Sequence, residues 1–169
     1  NAEREASVVS KLLSCFYHYG YVQIAPPLAE FEDTLLAGVG AAEGHRMFRM
    51  MDPASKKMLG VRTDITTQIA RIATTRLARS ARPLRLCYAG QVLRMEGDQL
   101  RREREVGQAG VELIGEAGQA AQVEAIALAI DAVQVADVDN FAIDLTMPQL
   151  VPLLCNELGL DEATSSAVR

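Results

Sequence analysis

Apolar residues recur at helical spacing from about Glu3 to Tyr19, at Val8, Val9, Leu12, Leu13 and Phe16, and Gly20 follows directly. The spacing predicts a helix with one buried stripe, and the glycine fits the left-handed position that closes such a helix. "YVQIAPPLAEF" then reads as a short strand closed by Pro26 and Pro27, because proline cannot donate into a ladder and pushes the residue before it to extended geometry. The stretch from Ala37 to Gly44 is a glycine-rich linker, without the strand-to-helix context or the Lys-Ser/Thr of a phosphate loop. "MFRMMD" and "KMLGVRT" predict two strands around a turn at Asp52 to Ser55, with Pro53 at its second position.

"DITTQIARIATTRLARSAR" predicts a helix with Ile65, Ile69, Ile72 and Leu77 near one face and Thr63 or Asp64 as its cap. "LRLCYAGQVLR" and "EVGQAGVELIG" read as two strands flanking an arginine-rich segment. An alanine-rich helix is expected from about Ala117 to Val135, a strand at "NFAIDLT", and a last helix from Pro148 to Leu158. The pattern is that of a single α+β domain with a mostly antiparallel sheet flanked by helices.

The strand pair around the arginines carries the candidate chemistry. Residues two apart share a face of a strand, so Gln108, Gly110 and Glu112 point one way and Ala109, Val111 and Leu113 the other. An amide, a position with no side chain and a carboxylate suit a small polar ligand: the glycine leaves room, and the carboxylate accepts from an ammonium. The same alternation also describes the wet side of a half-buried antiparallel sheet. Arg94, Arg101, Arg102 and Arg104 could converge on phosphate by bidentate contacts. They could equally form a solvated run partnered by Glu96, Asp98, Glu103 and Glu105.

Composition narrows the classes. With 169 residues, 49% of them apolar, the chain can bury a core, and with aromatics at 5% and no tryptophan that core must be aliphatic. A formal net charge of −5 gives no bulk attraction to nucleic acid or anionic lipid. Cys15, Cys87 and Cys155 stand far apart, with no metal-ligand spacing, and read as buried reduced thiols of a cytoplasmic protein. No apolar run approaches the ~18 residues that a membrane span requires. No cofactor or metal is implied. The missing initial Met and the end at "SSAVR" read as an N-terminal fragment of a longer chain.

Leu93-Arg94-Met95-Glu96, a variable arginine-bearing loop, and Gln108-Ala109-Gly110-Val111-Glu112-Leu113-Ile114-Gly115 together resemble motif 2 of the class II aminoacyl-tRNA synthetases. The form is that of histidyl-tRNA synthetase and its paralogue, the regulatory subunit of ATP phosphoribosyltransferase. "GYVQIAPPLAEF" resembles motif 1, which implies a homodimer through that segment. "GVRTDITTQIAR" resembles the substrate-pocket segment, and its Arg62-Thr63-Asp64-Ile65-Thr66 is similar to the regulatory form, where a synthetase would carry a glutamate. The Arg-Gly-Leu-x-Tyr-Tyr stretch and the motif 3 arginine of the synthetase are not found in these 169 residues.

The resemblance therefore implies a class II synthetase-like core with a non-catalytic role in histidine biosynthesis. Its partner would be the short-form catalytic subunit of ATP phosphoribosyltransferase. Asp64, Thr66, Arg94, Gln108 and Glu112 would line a histidine-like pocket, and Arg94, Glu96, Arg102 and Arg104 a vestigial nucleotide-phosphate site. The alternative that it implies is a truncated catalytic domain of histidyl-tRNA synthetase, in which Arg94, Arg102 and Arg104 bind ATP and Glu112 the amino group. Arg71, Arg76, Arg79, Arg82 and Arg85 would then face tRNA, unless they are simply a solvated helix face and the turn after it.

Overall fold

The computed structural model describes residues 2–37, 44–95, 103–147 and 149–160. They fall into two compact units, Asn1–Val138 and Asp139–Arg169. Among the described residues no helix is long and apolar enough to cross a membrane, and no group of three His, Cys, Asp or Glu is placed to hold a metal ion.

The first unit opens with helix α1, Ala2–His18. Gly20 ends it at φ +80°, and the Tyr21 N–H reaches back to the Phe16 carbonyl at 3.1 Å, the six-to-one bond of a glycine-closed helix. The following stretch divides into two strands instead of one: β1, Val22–Gln23, and β2, Ala29–Phe31, belong to different sheets. Pro26 and Pro27 lie between them, where the missing N–H groups break the ladder. A short helix α2, Glu32–Leu35, precedes β3, Arg49–Met51, and β4, Met58–Val61. The small sheet runs β2-β4-β3, antiparallel throughout. The Asp52 side chain closes the hairpin by accepting from the Ala54 and Ser55 N–H groups.

The expected helix from Asp64 to Arg82 is much shorter: α3 spans Thr66–Thr74. The Thr74 and Thr75 hydroxyls donate back to the carbonyls of Ala70 and Arg71, and the Arg82 guanidinium donates to those of Ala73 and Leu77. Side chains therefore satisfy the last carbonyls where another helical turn would otherwise have done so. Leu77 still packs on the core, although it lies beyond the helix.

The two long strands are β5, Leu84–Leu93, and β6, Glu105–Ile114. They pair antiparallel in one unbroken register that sets Leu86 opposite Glu112, Tyr88 opposite Gly110 and Gly90 opposite Gln108. β1 joins β5 in parallel, giving the order β1-β5-β6. α4, Gln119–Val135, completes the unit. On one face of the sheet Cys87, Ala109, Val111 and Leu113 pack with Phe16, Tyr21 and Leu128; on the other, Leu86, Tyr88 and Val92 pack with Ile65, Ile69 and Ala73. The sheet is thus sandwiched between α1 with α4 on one side and α3 on the other. Both faces are covered, so the reading of the Gln108–Glu112 face as an ordinary wet surface fails. Of the three thiols, Cys87 and Cys155 are buried and Cys15 is only half-buried.

Arg62 joins the two sheets. It is 7% exposed; its Nε donates to the Gln91 carbonyl and its Nη1 to that of Pro26, both at 2.8 Å. Its backbone carbonyl accepts from the Leu93 N–H at 3.0 Å, and its N–H donates to the Leu28 carbonyl.

In the second unit, the segment expected as a strand at "NFAIDLT" is irregular. Its apolar positions alternate, but a strand exists only where another strand accepts its hydrogen bonds, and none pairs with it among the described residues. Helix α5, Leu150–Glu157, carries Pro152 in its first turn, where the lost N–H has no helical partner to forgo.

Candidate functional site

The alternating face of β6 meets the start of α3. Gln108 spans the junction: its Nε2 donates to Asp64 Oδ2 at 2.7 Å and its Oε1 accepts from the Ile65 N–H at 3.0 Å. The expected cap at Thr63 or Asp64 is therefore replaced. No side chain within the segment caps α3; an amide on a distant strand takes up an N–H at the helix start, and the Asp64 carboxylate turns to meet it.

The gap expected above Gly110 is filled. A Cβ there would lie 2.6 Å from the Tyr88 hydroxyl, so the glycine makes room for a phenol from the neighbouring strand and not for a ligand. Tyr88, 4% exposed, meets Thr66 Oγ1 at 2.9 Å. Sequence reasoning missed Tyr88 because only the register across β5 and β6 places it opposite Gly110.

Glu112 lies two residues further along the same face, half-buried. Burial is the main cause that raises its carboxyl above the usual carboxylate range, and the nearby Asp64 charge adds to it; the Thr66 and Tyr88 hydroxyls oppose the shift by hydrogen bonding. The Tyr88 phenol is likewise raised, chiefly by burial. Two carboxylates, Asp64 and Glu112, thus share one cluster with hydroxyls and an amide, and neither is ion-paired among the described residues. Such a site disfavours its own second negative charge and favours a ligand that brings a positive one.

The Arg94 side chain makes no hydrogen bond or ion pair with this cluster among the described residues. It is exposed, four residues past Gly90, and therefore about 13 Å along the strand from the register position of Gln108. Its N–H bonds to the carbonyl of Arg104, whose guanidinium lies 6.0 Å from the Phe48 ring. Glu96, Arg101 and Arg102 lie outside the described residues. The candidates thus form a carboxylate cluster at the start of α3, with Arg94 and Arg104 at the ends of the paired strands. Beside Asp64 is a void of about 20 Å³ bordered by Leu35, Met47 and Arg62, room for a water at most. A larger groove, about 590 Å³, lies on the opposite face between α1 and the sheet, and is lined mainly by Val8, Leu12, Ala89 and Ala109.

Three members of the arginine series expected to face either tRNA or solvent have internal roles. Arg71 clamps Glu30 at 2.7 Å, Arg85 holds Glu124 through two nitrogens at 2.7–2.8 Å, and Arg82 closes the end of α3. Glu124 also accepts from the Tyr21 hydroxyl at 3.1 Å; burial first, and then this bond, push the Tyr21 phenol up to about 12.

A motif-bearing antiparallel ribbon sandwiched by helices, with a polar cluster on one face and Arg94 and Arg104 at the ends of its strands, is the core of a class II aminoacyl-tRNA synthetase-like protein. The histidyl-tRNA synthetase family model matches residues 1–169, and the chain belongs to that family. It is 52% identical over its whole length to an ATP phosphoribosyltransferase regulatory subunit from Rhodospirillum centenum, covering 44% of that protein. It is 48% identical to the one from Paramagnetospirillum magneticum, covering 45%. The chain thus spans about half the length of these curated relatives. Among solved structures, a regulatory subunit/histidyl-tRNA synthetase from Bacillus halodurans superposes with a TM-score of 0.77 at 28% identity, over 97% of this chain and 42% of the other. A histidine–tRNA ligase subunit from Alicyclobacillus acidocaldarius superposes with a TM-score of 0.73 at 30% identity, over 98% and 47%.

Proposed function

We propose that the chain is part of a non-catalytic, cytoplasmic regulatory subunit of ATP phosphoribosyltransferase. It would act with the short-form catalytic subunit in the first step of histidine biosynthesis and supply feedback control. What supports this reading is the likeness over the whole chain to ATP phosphoribosyltransferase regulatory subunits, together with the gathering of Asp64, Thr66, Gln108 and Glu112 at the start of α3, carboxylates and an amide of the kind that an amino acid's ammonium group would meet. The internal roles of Arg71, Arg82 and Arg85 weaken the case for a tRNA-facing stripe.

The test is Glu112→Gln in the full-length subunit, reconstituted with its catalytic partner. Loss of the charge should weaken histidine inhibition by roughly tenfold or more, the worth of one charge-assisted contact. Unchanged histidine sensitivity would remove this pocket from the regulatory account. Stability should respond in the opposite sense. Because Glu112 holds its proton more tightly folded than unfolded, the folded state is penalised as pH rises above the carboxyl's ordinary value of 4.5. The Tm of Glu112→Gln at pH 7 should therefore equal or exceed that of the parent, as measured by calorimetry between pH 4 and 8.

The homodimer belongs to the same proposal. β1 is an edge strand, Val22 on it is 64% exposed, and a groove of about 390 Å³ bordered by Val22, Ile24, Leu77 and Leu84 runs beside it. An exposed apolar edge of this kind can pair with its own copy across a two-fold axis. Sedimentation of the full-length protein should give twice the chain mass. A single-chain mass at every concentration would count against pairing through the Gly20–Phe31 segment.

A further inference from the structure

We propose that the seam between α3 and the Pro27–Glu30 segment holds one buried water molecule, bonded to Gln68 Oε1 and to the Arg71 Nε–H. Three successive carbonyls beside that seam are held from its far side: Pro26 by Arg62 Nη1 at 2.8 Å, Pro27 by Gln68 Nε2 at 2.9 Å and Leu28 by the Arg62 N–H at 3.0 Å. Further along, Glu30 receives one nitrogen of Arg71, whose Nη2 lies 2.7 Å from both carboxylate oxygens. These bonds leave one atom on each of the two α3 side chains buried and without a partner among the described residues: Gln68 Oε1 and Arg71 Nε.

Gln68 cannot satisfy itself by turning over. It is 1% exposed, and the Pro27 carbonyl can only accept, so the amide nitrogen must face that carbonyl and the amide oxygen must face away. A flipped amide would set two oxygens against each other. Left bare, the seam would carry the desolvation cost of a buried acceptor and of a donor on a cation.

The two atoms differ in kind, and that selects the ligand. They belong to residues three apart in α3, which lie on one helix face and reach toward the same segment. An anion would suit the guanidinium but meet the amide oxygen and the Glu30 carboxylate. A metal cation would suit the oxygen but meet Arg71. A neutral molecule that donates to the one and accepts from the other fits both, and between two atoms shut off from solvent the smallest such molecule is water.

The test takes the full-length protein, crystallised at a resolution that shows ordered waters. A peak within about 2.7–3.2 Å of both Gln68 Oε1 and Arg71 Nε is the expected result. In solution, the Arg71 Nε–H resonance is assigned from its loss in Arg71→Lys, which keeps a cation opposite Glu30. That resonance should show a direct NOE to a long-lived water in the parent, and the cross-peak should fall several-fold in Gln68→Met, which keeps the shape of the side chain and removes its oxygen. A crystal in which Arg71 turns its Nε onto Glu30, or in which Gln68 Oε1 accepts from a protein donor, overturns the proposal. So does an Arg71 Nε–H without an NOE to water, or a cross-peak that persists unchanged in Gln68→Met. The crystallographic result comes from the parent alone, so it decides the matter even where a variant fails to fold.

Discussion

Gly110→Val lowers the stability of the protein by about 1–3 kcal/mol, the usual cost of forcing bulk into a packed site, although valine is a residue that strands favour. The cause is local and geometric. The added Cβ meets the Tyr88 hydroxyl at 2.6 Å and its ring carbons at 2.8 and 3.3 Å, and Tyr88 is pinned by the Thr66 contact and by its place in the core beside Leu86 and Ile65. The denaturant midpoint should fall with an unchanged slope, because the surface exposed on unfolding stays the same. Gly110→Ala combined with Tyr88→Phe should cost less than the sum of the two single changes, since the phenylalanine removes the nearest clashing atom. A loss below about 0.5 kcal/mol in Gly110→Val would mean that the residue faces solvent and that Tyr88 lies elsewhere.

Arg62→Met should cost more, about 2–4 kcal/mol, because it leaves the carbonyls of Gln91 and Pro26 buried without their donor. Methionine roughly matches the length of the stem but offers no hydrogen. The guanidinium already has a lowered pKa through burial, and its hydrogen bonds run to carbonyls and not to a carboxylate, so its role is to tie β5 to the segment before β2. Gly90→Ala tests the same brace from the other side: its Cβ would collide with Arg62 Nη2. Equal thermal unfolding of parent and Arg62→Met would show that the two sheets are held together by something else.

Local signals were sufficient where the structure is local. The stripe from Val8 to Phe16 and the glycine at 20 specify α1 and its closure, and the alternation through Gln108 and Glu112 specifies β6 and the sides its residues face. Part of the candidate site was legible as a neighbourhood: Gln108 bonds directly to Asp64, and Thr66 and Glu112 stand beside them at the start of α3. What the sequence could not carry was long-range. The covering of the polar face by α3, the Tyr88–Gly110 pairing and the capping of α3 by Gln108 all depend on strand register, which one sequence states nowhere. Residues 140–146 failed for the opposite reason: their pattern is that of a strand, but strand formation depends on a neighbour. The helix from Asp64 to Arg82 was overextended because its apolar spacing continues to Leu77, although Thr74, Thr75 and Arg82 satisfy the carbonyls that would have prolonged it.

The most direct test of regulation without catalysis is a paired assay of the full-length protein. One half measures phosphoribosyl-ATP formation by the short-form catalytic subunit with and without it; the other measures histidine-dependent exchange of pyrophosphate into ATP. The account predicts that the protein activates the transferase and makes it sensitive to histidine, with no exchange above background. Exchange above background, with no effect on the transferase, would contradict it and make the protein a histidine-activating enzyme.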